Sequence, residues 1–365
     1  MRPTWAEVDL GAVAHNVALL VERAAPAEVC AVVKADGYGH GAVPVARAAL
    51  EAGADWLAVA LVEEAVLLRE AGVDGPILLL SEARPAEFAE VAALDLRATV
   101  YSPTGIEAAA ATGATLRIHL KVDTGMHRVG AAPADALALA RSVQAHPNLA
   151  LEAVWTHCAV ADEPERAFTA KQLDRFDAVL ADLAAAGIEV PLTHAANSAG
   201  AIAHPAARRS LVRCGIAVYG IDPSPELAGA LPLRPALQLR SEVSFVKRVA
   251  AGEGVSYGLR HTFDRPTTVA TVPVGYADGV RRRLGLLHQE VLIGGRRHPI
   301  VGVVTMDQLM VDCGEDPVAV GDQVVLLGRQ GDDEIRAEEW AAALDTIGYE
   351  ITCGLGPRVP RRYLP

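Results

Sequence analysis

Val29-Cys30-Ala31-Val32-Val33 is a short apolar run that ends at Lys34. Such a run reads as a buried strand. Gly37, Gly39 and Gly41 follow at once, and Val43 to Leu50 then turns helical. A lysine at the carboxyl end of a buried parallel strand is costly to hold charged. Burial lowers its pKa and leaves a nucleophilic amine suited to Schiff-base chemistry. Tyr38 and the glycine amides sit where a helix starts, a place that suits a phosphate. A carbonyl-trapping lysine beside a phosphate seat points to pyridoxal phosphate.

Plainer readings of these residues exist. Lys34 alone could be a strand-end lysine that snorkels to water. Gly37, Gly39 and Ala42 also fit the G-x-G-x-x-A dinucleotide pattern. That pattern wants its glycine turn directly after the strand and an acid closing the second strand. Here a lysine takes the first turn, and Trp56 to Leu61 ends apolar before Glu63. Gly254-Val255-Ser256-Tyr257-Gly258 matches G-x-S-x-G, but a loop with Asp264-Arg265-Pro266 follows it where a nucleophile elbow needs a helix. No histidine pair has H-E-x-x-H spacing, so no metal site is expected.

The elements that must position these groups alternate. Apolar runs at Val29–Lys34, Trp56–Leu61, Ile77–Leu80, Ala98–Tyr101, Leu116–Val122, Leu151–His157, Pro191–His194 and Leu211–Arg213 make eight candidate strands. Helical stretches such as Val62–Ala71, Ala134–Ala145 and Arg166–Ala186 lie between them, with Gly72 and Gly187 as stop signals. Eight strands each followed by a helix is the arithmetic of a (β/α)8 TIM barrel, expected over residues 11–232 of an α/β fold. Pro225, Pro232 and Pro235 mark a linker. Beyond it, Ser241–Val249, Thr267–Val274, Glu290–Ile293, Ile300–Val304 and Gln323–Leu327 alternate β-branched with polar residues. A mostly antiparallel β domain is therefore expected over 233–365, with the strand-like segment 1–10 able to join it.

At 365 residues the chain can bury a large core in two domains. Its net charge of −12, with no basic block, argues against nucleic acid and against an anionic membrane surface. No apolar run is long enough to span a bilayer. The first ten residues carry Arg2, Glu7 and Asp9 and do not read as a signal peptide. Cys30, Cys158, Cys214, Cys313 and Cys353 are widely spaced without C-x-x-C, which fits reduced thiols in a cytoplasmic protein.

A barrel carries its chemistry at the carboxyl ends of its strands. Those ends here are Lys34, Lys121, His157, His194 and Arg213, a concentration of polar residues that packing alone does not call for. Asn197 and Ser198 open a helix after the seventh strand, and Gly215-Ile216 follows the eighth. Loops after strands seven and eight are the usual barrel phosphate site.

These stretches together resemble the alanine racemase family, pyridoxal-phosphate enzymes of fold type III. The resemblance rests on Ala31-Val32-Val33-Lys34 with Tyr38-Gly39-His40-Gly41, and on His119-Leu120-Lys121-Val122-Asp123-Thr124-Gly125-Met126 with Arg128 and Gly130. Thr156-His157, Asn197-Ser198 and Arg213 with Gly215-Ile216-Ala217-Val218-Tyr219-Gly220 continue it. In the second domain it rests on Val255-Ser256-Tyr257-Gly258, Gly275-Tyr276-Ala277-Asp278-Gly279, Met306-Asp307-Gln308 and Arg358-Val359-Pro360-Arg361.

The resemblance implies that Lys34 holds the cofactor and is one of two catalytic bases, with Tyr257 the other on the opposite face of the substrate. A phenol is a poor base at neutral pH unless its surroundings help. The resemblance places His157, Arg213 and His194 in that supporting network. It gives Tyr38, Ser198, Gly215 and Ile216 to the phosphate, with Asn197 beside them. Arg128 would contact the cofactor's phenolic oxygen and the substrate carboxylate. Met306 would line the substrate site, with Asp307 supporting it, and Tyr276 would guard the entrance. Lys121 would be a carbamate that orients Arg128. Arg213 would face the pyridine nitrogen, and since arginine keeps its protons the ring would stay a weaker electron sink. That arrangement disfavours transamination.

The family pattern is broken at Pro357, where many members have a phosphate-binding tyrosine, and at Thr305, where a cysteine often precedes the Met-Asp pair. His127 stands on variable ground. The implied activity is the interconversion of L- and D-alanine, which feeds peptidoglycan, by a homodimer whose sites combine Lys34 of one chain with Tyr257 of the other. A racemase for larger or basic amino acids, or a fold type III decarboxylase, would use the same cofactor. A decarboxylase has no use for Tyr257 as a proton donor on the opposite face.

Overall fold

Runs of Val, Ile, Leu and Ala that can be covered on both faces form parallel strands, and here they close on themselves. The structure is a computed structural model that describes residues 2–365. After β1 (Thr4–Asp9) come β2 (Glu28–Val32), β3 (Trp56–Val59), β4 (Ile77–Leu79), β5 (Leu96–Val100), β6 (Leu116–Lys121), β7 (Leu149–Trp155), β8 (Leu192–His194) and β9 (Leu211–Cys214). Strands β2 to β9 pair in order and β9 returns to β2, giving a closed barrel of parallel strands. Helices including Ala42–Glu51, Val62–Glu70, Ala136–Ala145 and Phe168–Ala185 link them. Val29, Leu57, Leu78, Ile118, Val154 and Val212 are fully buried.

Lys34 does not end a strand. Strand β2 stops at Val32, and Lys34 opens a turn in which Ala35, Asp36 and Gly37 have φ of 52°, 51° and 59°. Left-handed backbone at a residue with a Cβ costs about 1–2 kcal/mol. It persists where neighbours over-determine it. The Ala35 amide donates to Glu64 Oε1 at 2.6 Å, Gly37 N–H donates to Val33 O at 2.9 Å, and Asp36 Oδ1 accepts from Ala42 N at 2.9 Å.

The remaining strands are β10 (Leu237–Glu242), β11 (Phe245–Val249), β12 (Gly254–Val255), β13 (His261–Thr262), β14 (Thr267–Val272), β15 (Glu290–Ile293), β16 (Arg296–Val301), β17 (Leu309–Gly314), β18 (Gln323–Gln330), β19 (Asp333–Ile335) and β20 (Arg361–Leu364). A mostly antiparallel sheet runs β11-β14-β17-β16-β15-β18-β10-β1-β20, with β12 and β13 forming a separate ribbon. The expected single strand Ser241–Val249 is two. At the break Val243 N–H donates to Asp322 O and Ser244 N–H to Thr271 O, so the chain changes partners there. The β12, β13, β17, β19 and β20 strands were not anticipated, and the reading Ile300–Val304 shifts to Arg296–Val301. Val291, Leu292, Val311, Val324, Leu326 and Trp340 are buried in this sheet's core.

The chain divides into two compact units, one of residues 13–37 and 42–234, the other of 2–12, 38–41 and 235–365. Among the described residues no helix is long and apolar enough to cross a membrane. The segment 38–41 explains its own glycines. A Cβ on Gly39, whose φ is +84°, would lie 2.3 Å from Thr352 O, and Gly39 O accepts from Arg361 Nε at 3.0 Å. Gly39 therefore lets backbone approach backbone. Replacing Gly39 by Ala is expected to lower the unfolding free energy by about 2 kcal/mol or more, read as a lower urea midpoint. A midpoint equal to that of the parent would show that this close approach does not hold.

Candidate active site

Arg117, His119 and Lys121 stand two residues apart on β6, so they share one face. The His119 ring touches Trp56 of β3 and His194 of β8, which do not neighbour β6, so this face looks into the barrel. Barrel interiors are usually filled by branched apolar side chains. This one carries a ladder of titratable groups instead.

The buried Arg213 lies at the centre of the ladder. Its guanidinium donates to His194 Nδ1 at 2.7 Å, His157 Nδ1 at 3.0 Å, Thr156 O at 3.0 Å and Ala195 O at 3.1 Å. Guanidinium is donor-only, so both Nδ1 atoms accept and each neutral imidazole carries its proton on Nε2. Burial, then the charge of Arg213, holds both imidazoles well below their usual pKa. Burial also brings Arg213 down to about 10, which leaves it charged at neutral pH.

Lys121, 4% exposed, is pushed down to about 7 by burial and then by the charges of Arg213 and Arg128. Lys34 adds to that repulsion, and Asp123 alone opposes it. Asp123 is already engaged, since Oδ1 accepts from the amides of Gly125, Met126 and His127 at 2.9, 2.9 and 3.1 Å and shapes the turn to Arg128. Trp155 takes up part of the cationic charge. Lys121 Nζ lies 4.3 Å and Arg213 Cζ 4.5 Å from its ring centroid, and His194 stacks on it at 5.2 Å.

Beyond β8, Asn197 Oδ1 caps the helix Ser198–Ala203 by accepting from Gly200 N at 2.9 Å. Ser198 Oγ accepts from the amides of Gly215 and Ala217 at 2.9 and 3.4 Å, which draws the start of this helix to the turn that buries Ile216. The barrel unit thus gathers Lys34, Lys121, Arg128, His157, His194, Asn197, Ser198, Arg213, Gly215 and Ile216.

Tyr38, Tyr257, Tyr276, Met306 and Asp307 belong to the other unit. The buried Tyr38 ring lies 5.9 Å from that of Tyr349. Three loops there present apolar side chains outward. Tyr257 follows Ser256, whose φ is +64° and whose Oγ donates to Val303 O at 2.7 Å. Tyr276 N–H donates to Thr305 O at 2.9 Å and Ala277 N–H to Met306 O at 3.1 Å. These bonds set Tyr257, Met306 and Tyr276, which are 74%, 52% and 43% exposed, on adjoining loops. Asp307 accepts from Arg358 at 2.6 Å.

Family models for the N-terminal and C-terminal domains of alanine racemase match residues 8–223 and 236–363. The chain belongs to the alanine racemase family. The alanine racemase of Symbiobacterium thermophilum is 51% identical over all of this chain and 97% of its own length. Among solved structures, alanine racemase from the D-cycloserine producer Streptomyces lavendulae is 43% identical and superposes with a TM-score of 0.95 over 100% of this chain and 98% of that one. The Bacillus anthracis alanine racemase with bound L-Ala-P gives 0.94 at 41% identity, covering 100% and 96%. The barrel followed by a β-rich domain, expected from the sequence, is the architecture of this alanine racemase relative.

Sequence reasoning gave no role to Trp155, Gln172 or Glu152. Gln172 accepts from Ala159 N at 2.8 Å and donates to His157 O at 3.0 Å, steadying the loop that carries His157. The two-residue spacing of Arg117, His119 and Lys121 was the signal that could have revealed the ladder.

Proposed function

We propose that this member of the alanine racemase family interconverts L- and D-alanine with pyridoxal phosphate bound at the barrel. The observation that carries the reading is that the buried Lys121 lies beside the like charges of Arg213 and Arg128, while Asp123, which offsets them, is already engaged in a loop turn. Such a cluster is costly until an anion joins it. The cofactor's phosphate and phenolic oxygen and a substrate carboxylate match that need. Tyr38, Asn197, Ser198 and the Gly215–Ile216 turn would hold the phosphate, and Arg128 the phenolic oxygen and the substrate carboxylate. When bound, pyridoxal phosphate supplies a carbonyl for the amino group and a ring that spreads the charge left when the α-proton departs.

The chain's own residues do the rest. Lys34 holds the cofactor and moves the α-proton on one face, and Tyr257 moves it on the other. Arg213, donor-only, would face the ring nitrogen with its proton kept and so limit how much charge the ring accepts. His157 and His194 are fixed as neutral acceptors around it. Met306 lines the substrate site, supported by Asp307, and Tyr276 guards its entrance. The family match favours racemisation over decarboxylation. Free thiols at all five cysteines accord with a cytoplasmic setting.

The exposed Tyr257, Leu259, Tyr276 and Met306 form an apolar group that favours cover by a second copy of the chain. In this homodimer each site would join Lys34 of one protomer with Tyr257 of its partner.

Incubated with L-alanine, the protein is expected to form D-alanine until optical rotation is lost. Borohydride should fix the cofactor to Lys34, and Lys34→Ala should cut the rate at least roughly a hundredfold. A label on another residue, or a fully active Lys34→Ala, would overturn the assignment.

Lys34→Ala and Tyr257→Phe, each nearly inactive, are expected to recover roughly a quarter of parental activity when refolded together, since about half the dimers are mixed and each mixed dimer has one intact site. Mixed dimers present by mass yet inactive would exclude shared sites.

A lysine titrating near 7 is largely neutral above that pH and can add carbon dioxide through a new N–C bond, releasing one proton to solvent and giving an anionic carbamate that pairs with Arg128. With 13C-bicarbonate a carbamate carbon signal should appear, be absent from Lys121→Ala, and fade as pH falls below about 7 and the amine takes a proton. A signal that persists in Lys121→Ala would refute carbamylation there.

A further inference from the structure

The barrel ladder continues past His194 to a carboxylate that no role above uses. His194 Nε2 lies 3.1 Å from His119 Nδ1, and His119 Nε2 lies 2.9 Å from Glu152 Oε2. His119 and His194 are fully buried, while the Glu152 side chain keeps 19% exposure. One end of this chain, Arg213, can only donate. The other, an ionised carboxylate, can only accept. With neutral imidazoles between them a single proton arrangement satisfies every contact. Arg213 donates to His194, His194 Nε2–H donates to His119, and His119 Nε2–H donates to Glu152.

Glu152 reaches His119 through a local irregularity. Strand β6 pairs with β7 as Ile118 with Leu151 and then His119 with Ala153, so Glu152 is an extra residue on β7. Such a bulge re-aims a side chain and recurs beside functional sites. Arg97 and Arg117 flank the carboxylate at 3.6 and 3.7 Å, and Asp95 pairs with both arginines. Burial alone would raise the Glu152 pKa, but the His119 hydrogen bond and the two arginines hold it below the ordinary range.

We propose that Glu152 is a positioning residue: it is the counter-charge of the buried Arg213, acting through His119 and His194, and it holds both imidazoles as neutral Nε2–H tautomers in one directed chain. Arg213 then keeps its proton and its place. The bearing on catalysis rests on the reading above; the proton arrangement does not.

Ring-nitrogen NMR of the full-length protein labelled with 15N-histidine tests the arrangement without substrate. His119 and His194 are expected to carry a proton on Nε2, none on Nδ1, and to stay neutral between about pH 6 and 9. Glu152→Gln keeps the volume and an acceptor oxygen but removes the charge. It should move the His119 Nε2–H resonance upfield and pass a smaller displacement to His194. Glu152→Leu should expose the His119 proton to exchange and weaken pyridoxal phosphate binding several-fold by titration. Asp95→Asn, which alters the surrounding ion pairs without touching the chain, should leave both rings unchanged. A proton on Nδ1 of either ring, a His194 signal unmoved in Glu152→Gln, or an equal displacement in Asp95→Asn would each overturn the proposal. Loss of racemisation with the ring signals as expected would count against the functional reading alone.

Discussion

A guanidinium sealed from water has to be surrounded by acceptors, and this requirement shapes the barrel around Arg213. Its Nη1 and Nη2 groups donate to two imidazole nitrogens and the carbonyls of Thr156 and Ala195. Each acceptor comes from β8 or from the loops that follow β7 and β8, so those segments are tied to one point. The same positive charge depresses His157, His194 and Lys121, once burial has acted on them. The site's electrostatic character follows from this residue: neutral imidazoles, and a lysine near its titration point whose like-charged neighbours a bound anion would offset.

The second constraint is the backbone that presents Lys34. Consecutive left-handed residues are unfavourable, and the energy that sustains them comes from three directed hydrogen bonds. A turn held in this way is rigid in a manner that a glycine loop is not. Lys34 is therefore set by its scaffold, whereas the loops carrying Tyr257 and Met306 display their side chains to solvent.

The barrel was legible because parallel strands covered on both faces read as near-continuous apolar runs, and eight such runs leave few alternatives to closure. The strand-end position of Lys34 was misread by two residues, since nothing in Ala35-Asp36 announces positive φ; Glu64, 29 residues beyond Ala35, helps impose it. Trp155 drew no role because its partners, Lys121 and Arg213, lie on other strands. Glu152 was invisible for a different reason. Regular alternation puts it on the opposite face from Ala153 and Trp155, and only the bulge brings it to His119. Strand β20 begins Arg361-Arg362, without the apolar alternation by which strands are recognised, yet it pairs with β1.

That last pairing has a consequence for how the protein is made. Strand β1 precedes every barrel strand in the chain, but its neighbours are Leu237–Glu242 and Arg361–Leu364. At about 5–20 residues per second, its second edge stays unpaired for tens of seconds after the barrel strands have begun to emerge. During synthesis this segment is an open β-edge in search of a mate. Glu7 and Asp9, two residues apart, put two carboxylates on one side of the strand, which disfavours pairing with copies of itself on nearby nascent chains.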